Sequence, residues 1–198
     1  EVLDREGNFY TENYRAARNE NVFVLSGGED VFKPLYCFQG FRYIRLNEFP
    51  NQEIVLDNFR AIVVHSEMKR TGYFSCGNEK LNQLYSNVIW GQRGNYIDIP
   101  TDCPQRDERL GWTGDAQVFC RTAAINFNVK KFFEKWLGDV AIEQDKDNGA
   151  VRGVIPVAQK RPTRIAAAWG DVACIVPWQL YEAYGDKKLL KKHLPMMK

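Results

Sequence analysis

The sequence predicts a mainly α fold with an N-terminal β portion. Two observations carry that prediction. Over roughly the first 70 positions, apolar residues come in short runs rich in β-branched and aromatic side chains, the pattern of strands. From about residue 77 the apolar period changes from two to 3.6, the pattern of helices packed on one face. A boundary is therefore expected between Arg70 and Ser75, giving a β segment over 1–70 and a helical segment over 71–198.

In the β segment, Val22 to Leu25 is a short apolar run closed by Gly27 and Gly28. Tyr36, Phe38 and the stretch Phe41 to Leu46 form a second run, interrupted at Gln39-Gly40 by a turn or bulge. Ile54 to Leu56 and Ala61 to Val64 are two more. Four strands are too few to close a sandwich, so partner strands are missing or the domain is partial.

In the helical segment, Leu81, Leu84, Tyr85, Val88 and Ile89 fall at i, i+3, i+4, i+7 and i+8, with Asn78 as the N-cap. Asp115 to Ala124 reads as a second helix. Val129, Phe132, Phe133, Trp136, Leu137 and Val140 give a third, with Asn128 before it as a cap. Val172 to Tyr184 is a fourth, kinked by Pro177 and ended by Gly185. Asp186 then caps a last helix carrying Leu189, Leu190, His193 and Leu194.

Bulk composition narrows the function classes. With 27 basic and 25 acidic residues in 198, the net charge of +2 gives no electrostatic case for nucleic acid or an acidic membrane. No run approaches the roughly 20 apolar residues of a membrane span. Five cysteines, none in a CxxC pair, argue against a zinc site or disulfide framework and lean toward a reducing compartment. The two histidines leave little for His-centred metal or nucleophile chemistry. Aromatic residues reach 13%; they are core material first and can also stack on sugar rings. The charged start Glu-Val-Leu-Asp-Arg lacks a secretory pattern and suggests a chain cut from something longer.

The segment Ile99 to Asp115 is where chemistry concentrates. It packs Asp102, Asp107, Glu108 and Asp115 with Arg106 and Arg109 beside Trp112. Pro100, Pro104, Gly111 and Gly114 forbid one continuous helix, so this is a shaped loop between helical elements. Crowded carboxylates repel, which can hold a proton on one of them, as a general acid requires. A solvated loop with ordinary Arg–carboxylate pairs accounts for the same pattern. A second concentration is Ala168-Trp169-Gly170-Asp171, after the basic stretch Gln159 to Arg164. Trp169 offers a stacking face and Asp171 an acceptor for hydroxyls; a helix start with Asp171 near the N-terminal dipole is the plainer reading.

The run Ile-Pro-Thr-Asp102-Cys-Pro-Gln-Arg106-Asp-Glu108-Arg-Leu-Gly-Trp112-Thr-Gly-Asp115-Ala-Gln closely resembles the signature of bacterial α-L-rhamnosidases of glycoside hydrolase family 78. Gly72 to Tyr85, Lys135-Trp136-Leu137, Trp169 to Ala173, Val176-Pro-Trp178, Phe41 to Ile44 and Tyr184 to Asp186 resemble the same family in order and spacing. The resemblance implies a partial (α/α)6 barrel preceded by part of a β-sandwich, and inverting hydrolysis of terminal α-L-rhamnose in α-L-rhamnosides, a reaction that needs no metal and no organic cofactor. It implies Glu108 as general acid, with Asp102, Trp112 and Asp115 lining the rhamnose pocket and Trp169 as a further wall. Arg106 is inferred as a carboxylate partner, and Asp171 as a hydroxyl acceptor. The family's general base is a Glu further downstream, and nothing in residues 116–198 stands in its motif context. The implied partner is a rhamnose-containing glycoside or polysaccharide. Apolar helix faces left open by a part-barrel predict self-association, hence a homo-oligomer. Three rival readings are a carbohydrate-binding segment without turnover, a glycosidase of the same barrel with another sugar preference, and a non-catalytic structural piece whose acidic loop is merely surface.

Overall fold

The computed structural model describes residues 2–50, 53–158 and 165–198, so the basic stretch from Gln159 to Arg164 lies outside the described residues. The chain divides into two compact units: Glu1–Val64 with Cys103–Arg109, and His65–Asp102 with Leu110–Lys198.

The first unit begins with a small antiparallel hairpin, β1 (Val2–Leu3) against β2 (Phe9–Tyr10), in the register Val2 to Tyr10 and Leu3 to Phe9. Asp4 builds its turn. One carboxylate oxygen accepts the N–H groups of Glu6 and Asn8, at 2.9 and 2.8 Å, and Gly7 supplies a positive φ of 85°. These bonds hold the Asp4 carboxyl below its ordinary pKa, the Asn8 N–H most of all. Short 3-10 turns follow at Glu12–Tyr14 and Leu56–Asn58.

The four strands expected at Val22–Leu25, Tyr36–Leu46, Ile54–Leu56 and Ala61–Val64 are not formed among the described residues. Val22, Val24, Leu46 and Ile62 are instead exposed, and Leu56 opens a 3-10 turn. The physical reason is pairing. A strand satisfies its backbone only against a neighbour, and none of these runs offers another a register. Alternation alone cannot report whether the partner strand is at hand.

The second unit is helical: α1 (Glu79–Asn95), α2 (Thr113–Asn126), α3 (Lys130–Glu143), α4 (Val172–Tyr184) and α5 (Lys187–His193). Asn78 caps α1 as expected, its side chain accepting the N–H groups of Lys80 and Leu81 at 3.0 and 3.4 Å. Gly185 closes α4 with φ at 64° and Asp186 opens α5, accepting from Lys188 and Leu189. Two readings shift. The N-cap position of α3 falls to Val129, although the Asn128 side chain still accepts the Lys130 N–H at 3.3 Å. On α1 the expected face is only half used, because Leu81 and Leu84 are exposed. The buried line runs instead through Tyr85, Ile89, Gln92 and Tyr96.

α4 packs on α2, α3 and α5, and the core gathers where they meet, around Cys120, Phe133, Trp136, Val140, Val176 and Leu180. Tyr96 stacks on Phe132 with ring centroids 4.5 Å apart, and Trp136 donates its indole N–H to the Ile155 carbonyl at 3.0 Å. Burial pushes the Cys120 thiol up to about 12 and the Tyr96 phenol well above its ordinary range. A buried polar chain ties α1 to α2: Asn126 donates to Gln92, and Gln92 to the Ala123 carbonyl. No helix among the described residues is long and apolar enough to cross a membrane.

Candidate functional site

The start of α2 is the anchor of the candidate site. Gly111 and Thr113 zip against the segment Arg152–Ile155. The Ile155 N–H donates to the Gly111 carbonyl at 2.9 Å, and the Thr113 N–H to the Gly153 carbonyl at 2.9 Å. The fully buried Thr113 hydroxyl bonds the same strand-like segment at the Arg152 and Gly153 carbonyls. A side chain at Gly111 would collide with the Ile155 carbonyl, so only glycine allows this approach. Asp115 then falls in the first turn of α2, where the helix dipole favours a negative charge.

Asp102 reaches the same place from α1. Thr101 donates both its N–H and its hydroxyl to the Asn95 carbonyl, at 3.0 and 2.9 Å, folding the chain back on the helix end. The Asp102 N–H donates to the Leu110 carbonyl at 3.2 Å, and one Asp102 carboxylate oxygen accepts the Leu110 N–H at 3.0 Å. Trp169 comes from the turn before α4. A Cβ at Gly114 would lie 2.8 Å from its indole ring, so that ring rests on the bare backbone of α2's first turn.

These three elements enclose a cavity of about 570 Å³, lined by Asp102, Asp115 and Trp169 together with Thr101, Gln117 and Asn95. Two carboxylates, several amides and an indole face around one hollow suit a polyhydroxylated ring. Hydroxyls donate to the carboxylates while the apolar ring face lies on the indole. Trp112 is half-buried at the N-cap position of α2 and is not in the cavity lining. Its indole N–H is buried and meets no acceptor among the described residues. Asp171 occupies the N-cap position of α4 with its side chain exposed, as the plainer reading expects, and does not line the cavity.

Glu108 and Arg106 belong to the first unit. There the segment Cys103–Arg109 is held by Asn19, which donates to the Gln105 carbonyl at 2.9 Å, and by Arg109, which donates to the Phe38 carbonyl at 3.3 Å. Glu108 is paired with two guanidiniums, Arg106 at 2.5 Å and Arg15 at 3.3 Å, and Arg15 also reaches Asp107 at 3.4 Å. The hydrogen bond to Glu108 raises the pKa of the Arg106 guanidinium. Sequence reasoning placed Glu108 among carboxylates, whereas its nearest charged partners here are cationic. Arg15 was missed because it lies far from the motif in sequence and nothing local marks it. Gln117, at the end of the Ile99–Gln117 motif, gives no signal in sequence, since an amide two residues after Asp115 carries no charge.

Comparison with known proteins decides what kind of chain this is. Residues 69–198 match the bacterial α-L-rhamnosidase 6 hairpin glycosidase domain, and residues 1–65 match the bacterial α-L-rhamnosidase concanavalin-like domain. This chain belongs to the bacterial α-L-rhamnosidase family. An α-L-rhamnosidase of Formosa agariphila is 42% identical over 200 residues, covering 100% of this chain and 21% of that protein. One from Streptomyces avermitilis is 42% identical over 196 residues, covering 98% and 19%. The crystal structure of the Streptomyces avermitilis α-L-rhamnosidase complexed with L-rhamnose superposes with a TM-score of 0.91 at 42% identity, over 99% of this chain and 19% of that one. The native Aspergillus terreus enzyme gives 0.66 at 47% identity, over 69% and 16%. The chain thus spans about a fifth of the length of these rhamnosidase relatives.

Proposed function

We propose that this chain carries the sugar-binding wall and the acid half of an inverting glycoside hydrolase acting on terminal α-L-rhamnosyl groups. The observation that carries the reading is the convergence of Asp102, Asp115 and Trp169 on one cavity in a chain of this family. Its volume falls in the range of about 300–1,000 Å³ usual for small-ligand sites. Residues 1–70 are read as the end of the β-sandwich domain and 71–198 as the beginning of the catalytic barrel, which the two family matches support.

In this mechanism Glu108 donates a proton to the glycosidic oxygen as the bond to the anomeric carbon breaks. Water attacks that carbon from the opposite face, so the configuration inverts. The carboxylate that activates the water stands about 6.5–9.5 Å from the acid, and no residue of this chain is assigned to that part. Asp102 and Asp115 accept hydrogen bonds from sugar hydroxyls, and their charge favours the oxocarbenium-like transition state. Trp169 supplies the stacking face. Arg106 and Arg15 are paired with Glu108, and its carboxyl donates only once it carries a proton, so these ion pairs open as substrate enters. The part given to Trp112 rests on the motif resemblance alone, and that given to Asp171 on its place beside Trp169 in the sequence.

The test is made on the natural polypeptide. Glu108→Gln should lower kcat/KM on a natural α-L-rhamnoside by roughly 10²–10⁴-fold, the usual contribution of a general acid. The loss should be smaller on a nitrophenyl rhamnoside, whose leaving group needs little protonation. Near-normal activity of the variant on the natural substrate would remove Glu108 from the acid role.

A further inference from the structure

We propose that Gln117 is a positioning residue for the sugar subsite, its carboxamide clamping the Ala168 backbone so that Trp169 stays seated on Gly114. The inference rests on reading the cavity as a rhamnose subsite and deepens that reading.

The cavity has two walls of different origin. Asp115 and Gln117 stand on α2, whereas Trp169 comes from the turn that leads into α4. The packing of α4 on α2 brings these walls together, and one polar contact ties the turn before α4 to α2. That contact is a hydrogen bond from the Gln117 side-chain N–H to the Ala168 carbonyl, across 51 positions of sequence. The amide can face only one way. Turning it over would set its oxygen against the Ala168 oxygen, acceptor against acceptor. In the orientation present, its own oxygen is buried without a hydrogen-bond partner among the described residues. Leaving that acceptor unpaired costs free energy, which the bond made by the donor offsets.

What the donor holds is strained. Ala168 has φ at 69°, in the left-handed region that non-glycine residues rarely adopt. Such a conformation persists only where surrounding contacts impose it. The next residue is Trp169, whose ring lies against Gly114. Release of the Ala168 carbonyl lets that backbone relax to negative φ and turns the following side chain away from α2. The clamp therefore acts on sugar binding through Trp169 and does not itself touch the sugar.

The test uses Gln117→Glu, which keeps the shape and loses the donor, alongside Gln117→Ala, Trp169→Ala and the double variants. The first readout is the Kd for L-rhamnose in the natural polypeptide. Loss of one such hydrogen bond shifts an equilibrium by roughly 3- to 10-fold, and both Gln117 variants should weaken binding on that scale. In the Trp169→Ala background neither should weaken it further. The second readout needs no sugar. With fluorotryptophan incorporated, the ¹⁹F resonance assigned to Trp169 by its loss in Trp169→Phe should move or broaden in both Gln117 variants. An unmoved resonance overturns the clamp. Losses that add to that of Trp169→Ala show Gln117 meeting the sugar directly, and unchanged affinity removes it from the subsite; either overturns the proposal. If the unmodified protein binds no L-rhamnose, the rhamnose reading fails while the ¹⁹F signal still decides the clamp.

Discussion

Asp102 joins two functions that substitution can separate. One of its carboxylate oxygens accepts the Leu110 N–H, and the residue also lines the cavity. Asp102→Asn keeps a carbonyl oxygen for Leu110 and loses the charge. Asp102→Ala loses both. The alanine variant should therefore be destabilised by about 1–2 kcal/mol, the worth of one partly exposed hydrogen bond to a charged acceptor, and the asparagine variant by much less. Both should bind L-rhamnose more weakly. Thermal unfolding beside rhamnose titration checks this, and equal destabilisation of the two variants would count against the structural half. At this scale the shaped loop was legible from Pro100, Pro104, Gly111 and Gly114, and Asp102 and Asp115 do fall on the cavity, whereas Trp112 does not line it and Gln117 does. The pairing of Glu108 with Arg15 was not legible, since an ion pair between distant segments leaves no local trace.

Helices were the most legible elements, and their ends show why. Asn78, Gly185 and Asp186 act through bonds to residues two to four positions away, so local sequence contains the whole interaction. The strands of the first unit depend on partners that local sequence does not contain, and alternation over Val22–Leu25 or Ala61–Val64 could not supply them. Helix α5 offers a test of burial. His193 is buried on it, and its other charged neighbours are Lys192 and Glu134, which pair with each other at 3.2 Å. Desolvation first, and Lys192 second, lower the His193 pKa, with Glu134 opposing them. The folded state therefore favours neutral His193. Stability from this group is fully present above the unfolded-state value of about 6.5 and is lost as pH falls below it, where the unfolded chain binds the proton first. Unfolding midpoints between pH 7.5 and 5 should decline in the unsubstituted protein. In His193→Gln that decline should be shallower, and an identical slope in both would show that His193 does not contribute it.

For the chain as a whole, the distribution of apolar surface leads to a prediction about association. In the first unit Val22, Val24, Val31 and Leu35 are each more than 70% exposed. In the second, Tyr73, Val118 and Ile142 exceed the same mark, while Leu84, Trp90 and Ile125 are more than half exposed. Leu84 belongs to the very face of α1 whose periodicity announced a buried stripe, so its pattern asks for a neighbour that the described residues do not provide. Single exposed leucines are ordinary, but apolar side chains at this density invite association. The 198-residue chain produced alone should self-associate with rising concentration, seen by sedimentation velocity, and should bind a hydrophobic dye strongly. Replacing Leu84 and Ile142 by glutamate, which adds charge where nothing is buried, should reduce both signals without lowering the unfolding midpoint. A monodisperse monomer across the micromolar range with little dye binding would mean that these side chains find cover within the chain, and the exposed faces described above would have to be revised.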